Sequence, residues 1–314
     1  MIDIDLDEAR VEVEGCNNSW WPLAGPDQWT KNVALADEAS GFDFDGMFDP
    51  PVTALYNSTA FQVGADFQGI REEKYDFILA VHVVGTREKR WSLVDSEFRK
   101  AFSYKRESRI WVELDGSRRH LPVRLGGKPK IKVNNDPNSE KGALILLPLV
   151  GAYPRWIERV QPSTFTTTMD TTGGGTETGY VWVDCPLPED YDTWPIWEIP
   201  ATYEGITVTL PDYSHGNDLH ERAEEDALRK VVLAPLHLGE HLRINVDPMA
   251  FEGQFVTATK SEYGQRMGGR RLMYPIPGGK AIRQQVPVTV TKAPIGTKIR
   301  LYCPREWPRP WGLD

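Results

Sequence analysis

The sequence predicts a mainly β protein built of two sandwich-like regions. Three observations lead there. Short runs of alternating apolar and polar residues recur along the chain, punctuated by Pro, Gly, Asn and Asp, and a period of two is the signature of half-buried strands joined by turns. A clear helical stripe occurs in one stretch, near residue 95. The 314 residues suffice for about two cores of ordinary domain size.

Taken in order, "IDIDL" and "VEVEG" alternate at the start, and "YDFILAVHVVGT" (75–86) is a longer apolar run suited to a central strand buried on both faces. In "LVDSEFRKAFSY", Val94, Phe98, Ala101 and Phe102 share one helical face, with Asp95 and Ser96 as cap candidates. "RIWVEL-DGSR-RHLPVRL" reads as a hairpin turning at Asp115-Gly116. "IKVNNDPNSEKGALILLPLV" gives two strands around a polar loop. Its Asp136, Asn138 and Glu140 do not complete a calcium loop, because Lys141 stands where the sixth-position glycine is needed.

From 151 to 280 the texture changes. "STFTTTMDTTGGGTETGYVWVDC", "WPIWEI", "GITVTLPDYS", "KVVLAPL" and "HLRINVD" are short strands at regular spacing, as in a sandwich or jelly roll. Only 217–230 offers a second helical pattern. Residues 281–314 form a coda, two strands followed by the Pro- and Trp-rich "REWPRPWGLD", which suits neither a helix nor a central strand. The expected domains are therefore 1–150, 151–280 and 281–314.

Composition narrows the function. Charged residues are 26% and hydrophobic ones 40% of the chain, an ordinary globular balance. No apolar run reaches the ~18 residues of a membrane span. The acidic, alternating N-terminus is unlike a signal peptide, and three scattered cysteines suit a reducing compartment. Net charge is −9, with a net −10 over residues 1–50 and +8 over 259–314. Such ends either pack together within a subunit, meet head to tail between subunits, or are solvated faces. The overall negative charge disfavours nucleic-acid binding.

Catalytic patterns fail one by one. His237-Leu-Gly-Glu240-His241 matches the H-x-x-E-H of inverted zinc proteases, a motif that needs a helix to bring both histidines to one metal. Here Pro235 precedes it, Gly239 sits inside it, and Leu242, Ile244 and Val246 alternate after it. The stretch reads as a turn entering a strand, with two solvent-accessible histidines. "PGGKA" lacks the full phosphate-loop pattern. Asp43, Asp45 and Asp49 in "FDFDGMFD" read as outward acids of a turn rather than a catalytic pair. No metal or cofactor is expected.

Tryptophan is in excess, at 11. Trp91, Trp111, Trp156 and Trp182 are expected in the core. The pairs Trp20/Trp21, Trp194/Trp197 and Trp307/Trp311 suit sugar stacking or protein interfaces. The C-terminal pair must dock somewhere or leave large aromatics exposed.

From about residue 194 the chain resembles the distal tail proteins of siphophages that infect actinobacteria. The resemblance rests on "LPDYS" (210–214), the "PL-x-x-GE-x-L-x-I-x-x-DP" stretch (235–248), "GGRRLMYPIP" (268–277), "VPVTVTKAPIGTKI" (286–299) and the ending "REWPRPWGLD". The N-terminal half resembles that family by layout, with "WPLAGP", the extended "PPVTALYNSTAFQVGADFQG", a long strand, one helix and a hairpin. The resemblance implies an N-terminal ring-forming β-sandwich with one helix and a β-hairpin, followed by a galectin-like β-sandwich. It implies a structural protein of the virion tail tip, assembled in the host cytoplasm and forming a hexameric ring with itself. Its neighbours would be the tail tube protein, the tail-tip hub, the tape-measure protein and peripheral adhesion proteins, with DNA only in transit through the lumen. Interface candidates are then Asp43, Asp45, Asp49, Trp307, Arg309 and Trp311. Competing classes are a carbohydrate-binding module contacting host glycans through Trp194 and Trp197, and a zinc hydrolase.

Overall fold

The computed structural model describes residues 9–312, except 115, 134, 159–160, 186–190, 218–219, 251 and 279–281. The expected strand in "IDIDL" and Asp115 of the hairpin turn lie outside the described residues. The described residues form two compact units, one drawn from 9–158 with 307–312 and the other from 161–306. The expected coda is thus divided between them.

In the first unit, hydrogen-bonded neighbours run Trp20–Ala24, Arg10–Glu14, Ser108–Leu114, Ser117–Leu125, Gly142–Gly151, Tyr75–Val84 and Val33–Leu35. The long strand Tyr75–Val84 pairs in full register with Gly142–Gly151 and is flanked on its other side by Val33–Leu35. It is central, as expected, but one face stays partly open because Asp76 and Ile78 point to solvent. The hairpin is formed by Ser108–Leu114 and Ser117–Leu125, with Gly116 at φ +79° in the turn, a conformation that favours glycine.

The helix spans Trp91–Arg99 and buries Trp91, Val94 and Phe98. Its N-cap is Arg90, five residues before Asp95 and six before Ser96, the expected caps, and makes no side-chain cap bond. Burying Trp91 with Val94 and Phe98 decides the start, and Asp95 instead pairs with Arg99 one turn later at 2.6 Å.

The second unit is a two-sheet sandwich. One sheet orders Ser163–Thr166, Lys298–Tyr302, Ile196–Ile199, Leu242–Asn245 and Phe255–Thr257. The other orders Thr176–Cys185, Ile282–Thr291, Thr207–Pro211 and Lys230–Val232. The alternating inner residues of both sheets, among them Val181, Val183, Trp197, Ile199, Val208, Leu242, Ile244, Val286, Val288 and Ile299, make one core. The expected helix at 217–230 is a series of turns over 221–228. Asp226 there is held by the Tyr274 hydroxyl at 2.6 Å, and Arg229 pairs with buried Asp212.

Candidate assembly interface

A two-stranded hairpin, Val52–Asn57 with Asp66–Glu72, pairs with no other strand among the described residues. Pro50 and Pro51 precede it, and the register slips between Leu55 and Tyr56. Tyr56 lies opposite Phe67, their rings 5.8 Å apart, and Ala54 lies opposite Ile70. Val52, Leu55, Tyr56, Phe67 and Ile70 are all exposed, and at the tip Phe61 and Val63 are fully so. Phe61 is held at φ +73°, a left-handed conformation that bulky residues rarely adopt. Thr59 caps the tip through its backbone N–H to Gln62 Oε1 at 3.0 Å. An isolated two-stranded hairpin is marginal in water, and a contiguous apolar surface of this kind marks a contact site.

The C-terminal candidates sit in the first unit. Trp307 is 2% exposed and belongs to that unit's core, its indole N–H donating to Glu158 Oε2 at 3.1 Å. The Arg119 guanidinium, on a side chain that is 0% exposed, lies 3.7 Å from the Trp307 ring centroid. Its Nη1 donates to the carbonyls of Arg309 (3.0 Å) and Gly312 (3.1 Å). The Tyr75 hydroxyl donates to the Pro308 carbonyl at 3.0 Å. Trp311 is half-buried against Phe48, with ring centroids 4.5 Å apart. Arg309 remains partly exposed and pairs with Asp49 at 2.7 Å, so one residue from each oppositely charged end meets within a single chain.

Asp43 precedes and Asp45 lies on a short helix, Phe44–Phe48, where the sequence suggests a turn. Asp43 caps it by accepting from the Gly46 N–H at 3.0 Å, and Asp45 sits exposed in its first turn. Met47 and Phe48 anchor the helix in the core.

In the second unit, Trp197 is 2% exposed within the sandwich core and Trp194 packs against that core half-buried. The H-x-x-E-H stretch is a turn, with Gly239 at φ +80°. Its histidines face different partners. His237 Nδ1 is 2.7 Å from Glu204 Oε1, and His241 Nδ1 accepts from the Ala201 N–H at 3.1 Å. Glu240 points inward and is buried, accepting from the His237 N–H (3.0 Å), Ser261 and Arg266. Burial alone would raise its carboxyl pKa, but these donors outweigh it and hold the pKa below the ordinary range.

Two features escaped the sequence reading. The residues of the apolar hairpin read as one extended stretch until the sheet order shows two strands that pair with no other among the described residues. Trp182, expected in the core, is 46% exposed, because the alternation of "TETGYVWVDC" sends Val181 and Val183 inward and Tyr180 and Trp182 outward.

Comparison with solved structures places this architecture. The SPP1 Dit protein (gp 19.1), described as a paradigm of the hub adsorption apparatus in phages infecting Gram-positive bacteria, superposes with a TM-score of 0.51 at 7% identity, covering 95% of this chain and 99% of that one. The fold is that of a phage distal tail protein. A chain of the phage P2 baseplate in its activated, calcium-containing conformation gives a TM-score of 0.52 at 9% identity, covering 95% and 98%. In sequence, the chain is similar to the minor tail protein Gp27 of Mycobacterium phage D29, 26% identical over an alignment of 351 positions covering 98% of this chain and 100% of the relative. The corresponding protein of Mycobacterium phage L5 is 25% identical over the same shares. No family model matches the chain.

Proposed function

We propose that this chain is a structural component of a siphophage tail tip, a distal tail protein whose copies close into a ring, of six by the family resemblance. The ring joins the tail tube to the tail-tip hub and to adhesion proteins, and the tape-measure protein and DNA pass through its lumen. The chain's work is assembly rather than chemistry. It is assembled in the host cytoplasm and resides in the virion.

The observation that carries this reading is the exposed apolar hairpin 52–72, set beside a likeness to tail proteins over nearly the whole chain. A closed ring of identical copies needs head-to-tail contacts, each made of two different complementary patches. The hairpin supplies one patch and seats on a neighbouring copy. Burying a Tyr or Phe of this kind is worth about 1.5–3 kcal/mol, so a handful suffices to drive association. Asp43 and Asp45 remain candidates for the receiving surface or the lumen wall, where negative charge keeps DNA from sticking.

The test is sedimentation of the wild type against a Tyr56→Asp/Phe67→Asp double variant. The side chains are exposed, so the variant folds with an unchanged circular dichroism spectrum. The expected result is a large wild-type oligomer and a monomeric variant. Equal oligomerisation of both would remove the hairpin from the contact.

A further inference from the structure

The first unit carries a basic surface that no part of its own chain neutralises. Residues 100–132 hold ten Lys and Arg against three Asp and Glu, in a chain of net charge −9. Two loops of that stretch are tied together. The Leu125 N–H donates to the Ser103 carbonyl and the Tyr104 hydroxyl to the Gly127 carbonyl, both at 3.1 Å. These bonds bring Lys105 and Arg106 beside Lys128 and Lys130, all four exposed, and among the described residues none of the four pairs with a carboxylate. Glu107 is already held by Arg124 at 2.9 Å. The other two carboxylates of the stretch, Glu113 and Asp115, belong to the far end of the 108–125 hairpin, where Leu114 pairs with Ser117. Strand Lys130–Lys132 pairs on one side with 144–146 and, among the described residues, with no strand on the other. Beside these cations Tyr104, Ile131 and Val133 are also exposed. Apolar side chains, a free strand edge and surplus positive charge therefore share one surface.

We propose that this surface receives the hairpin 52–72 of a second copy. The proposal rests on the ring-forming reading above and names the patch that stands opposite the hairpin. Three properties match. The outer edges of Val52–Asn57 and Asp66–Glu72 are free among the described residues, so either strand can extend the sheet at Lys130–Lys132 by backbone pairing. The exposed Tyr56, Phe67 and Ile70 find apolar cover on Tyr104, Ile131 and Val133. Between Lys31 and Arg71 the chain has six carboxylates and no cation, the complement of the basic surface. Lysines on an edge strand ordinarily turn away another strand; here they select one that arrives with carboxylates. Exposed ion pairs add little affinity, but they steer encounter and reject wrong partners. The hairpin's strands are six and seven residues long, a reach of about 20 Å, enough to lie on a neighbour. A nucleic acid fits less well, because the net negative charge of the whole chain repels phosphate.

The experiment is sedimentation velocity over a concentration series on four full-length chains. They are the wild type, Lys105→Glu/Lys128→Glu, Glu38→Lys/Asp66→Lys, and a chain carrying all four substitutions. Each replaced side chain is exposed, so the melting temperatures match the wild type, which is checked first. Each double variant should need at least about tenfold more protein for half-assembly, since like charges then meet across the contact. The chain with all four substitutions restores opposite charges and should return to within about threefold of the wild type. Assembly of Lys105→Glu/Lys128→Glu at wild-type concentrations, or no recovery in the fourfold variant, overturns the proposal and leaves the ring reading standing. Unchanged assembly with loss of heparin binding in Lys105→Glu/Lys128→Glu would assign the surface to a free polyanion and overturn it equally. A wild type that stays monomeric throughout removes both readings.

Discussion

Replacing Trp307 by alanine should destabilise the first unit far more than its place near the chain end suggests. The indole is almost fully buried and lies against the Arg119 guanidinium at 3.7 Å, with its N–H on Glu158. Truncating a buried tryptophan costs about 3–5 kcal/mol. For a unit of roughly this size each kcal/mol lowers the melting temperature by about 2–4 °C, so the expected drop is on the order of 10 °C. Cutting the chain after Glu306 should cost more, because Arg119 also loses the carbonyls of Arg309 and Gly312, and Tyr75 loses that of Pro308. A bond to a charged donor is worth about 1.5–3 kcal/mol, though such neighbouring losses do not add simply. The assay is hydrogen exchange read by mass spectrometry, alongside thermal melting. Protection should fall in Tyr75–Val84 and Ser117–Leu125 and persist in Thr176–Cys185. Unchanged protection in the first unit, or equal loss in both units, would refute the reasoning.

The remaining predictions concern buried charge and pH. Glu240→Ala removes the acceptor for Arg266, Ser261 and the His237 N–H. It should cost about 2–4 kcal/mol by chemical denaturation, with no change in metal content. His120 is held neutral, its pKa pushed down to about 4 by burial and by the nearby Arg109 charge, and burial does the same to His215, also to about 4. The unfolded chain protonates these residues near 6.5, so their contribution is fully present above that pH and lost as pH falls toward 4. The loss should approach about 3 kcal/mol for each, and His120→Gln and His215→Gln variants should each flatten the acid limb of a stability–pH curve.

Much of the fold is legible in the sequence, because a period of two marks strands whatever their partners are. The long strand at 75–84, the hairpin at 108–125 and the turn entering Leu242–Asn245 follow from alternation, glycine and proline alone. The helix start at Arg90 does not, since Asp95 and Ser96 carry a local capping signal that burial of Trp91 overrides. Nor does the fate of the coda. Local pattern finds two strands, at 287–292 and 298–303, but neither the five-residue extension of the first back to Ile282 nor their insertion into both sheets of the sandwich. Tryptophan burial is the least legible feature. Trp197 and Trp307 go inside while Trp182 faces out, and only the face each residue takes on its strand, a matter of register, separates them.

The central claim, a ring-forming tail-tip component, is tested most directly by negative-stain electron microscopy of the purified protein, with light-scattering mass over a concentration series. Closed rings of uniform diameter, with a mass six times that of the 35.5 kDa chain, are expected. A strict monomer at every concentration, with and without the tail tube protein, would contradict it.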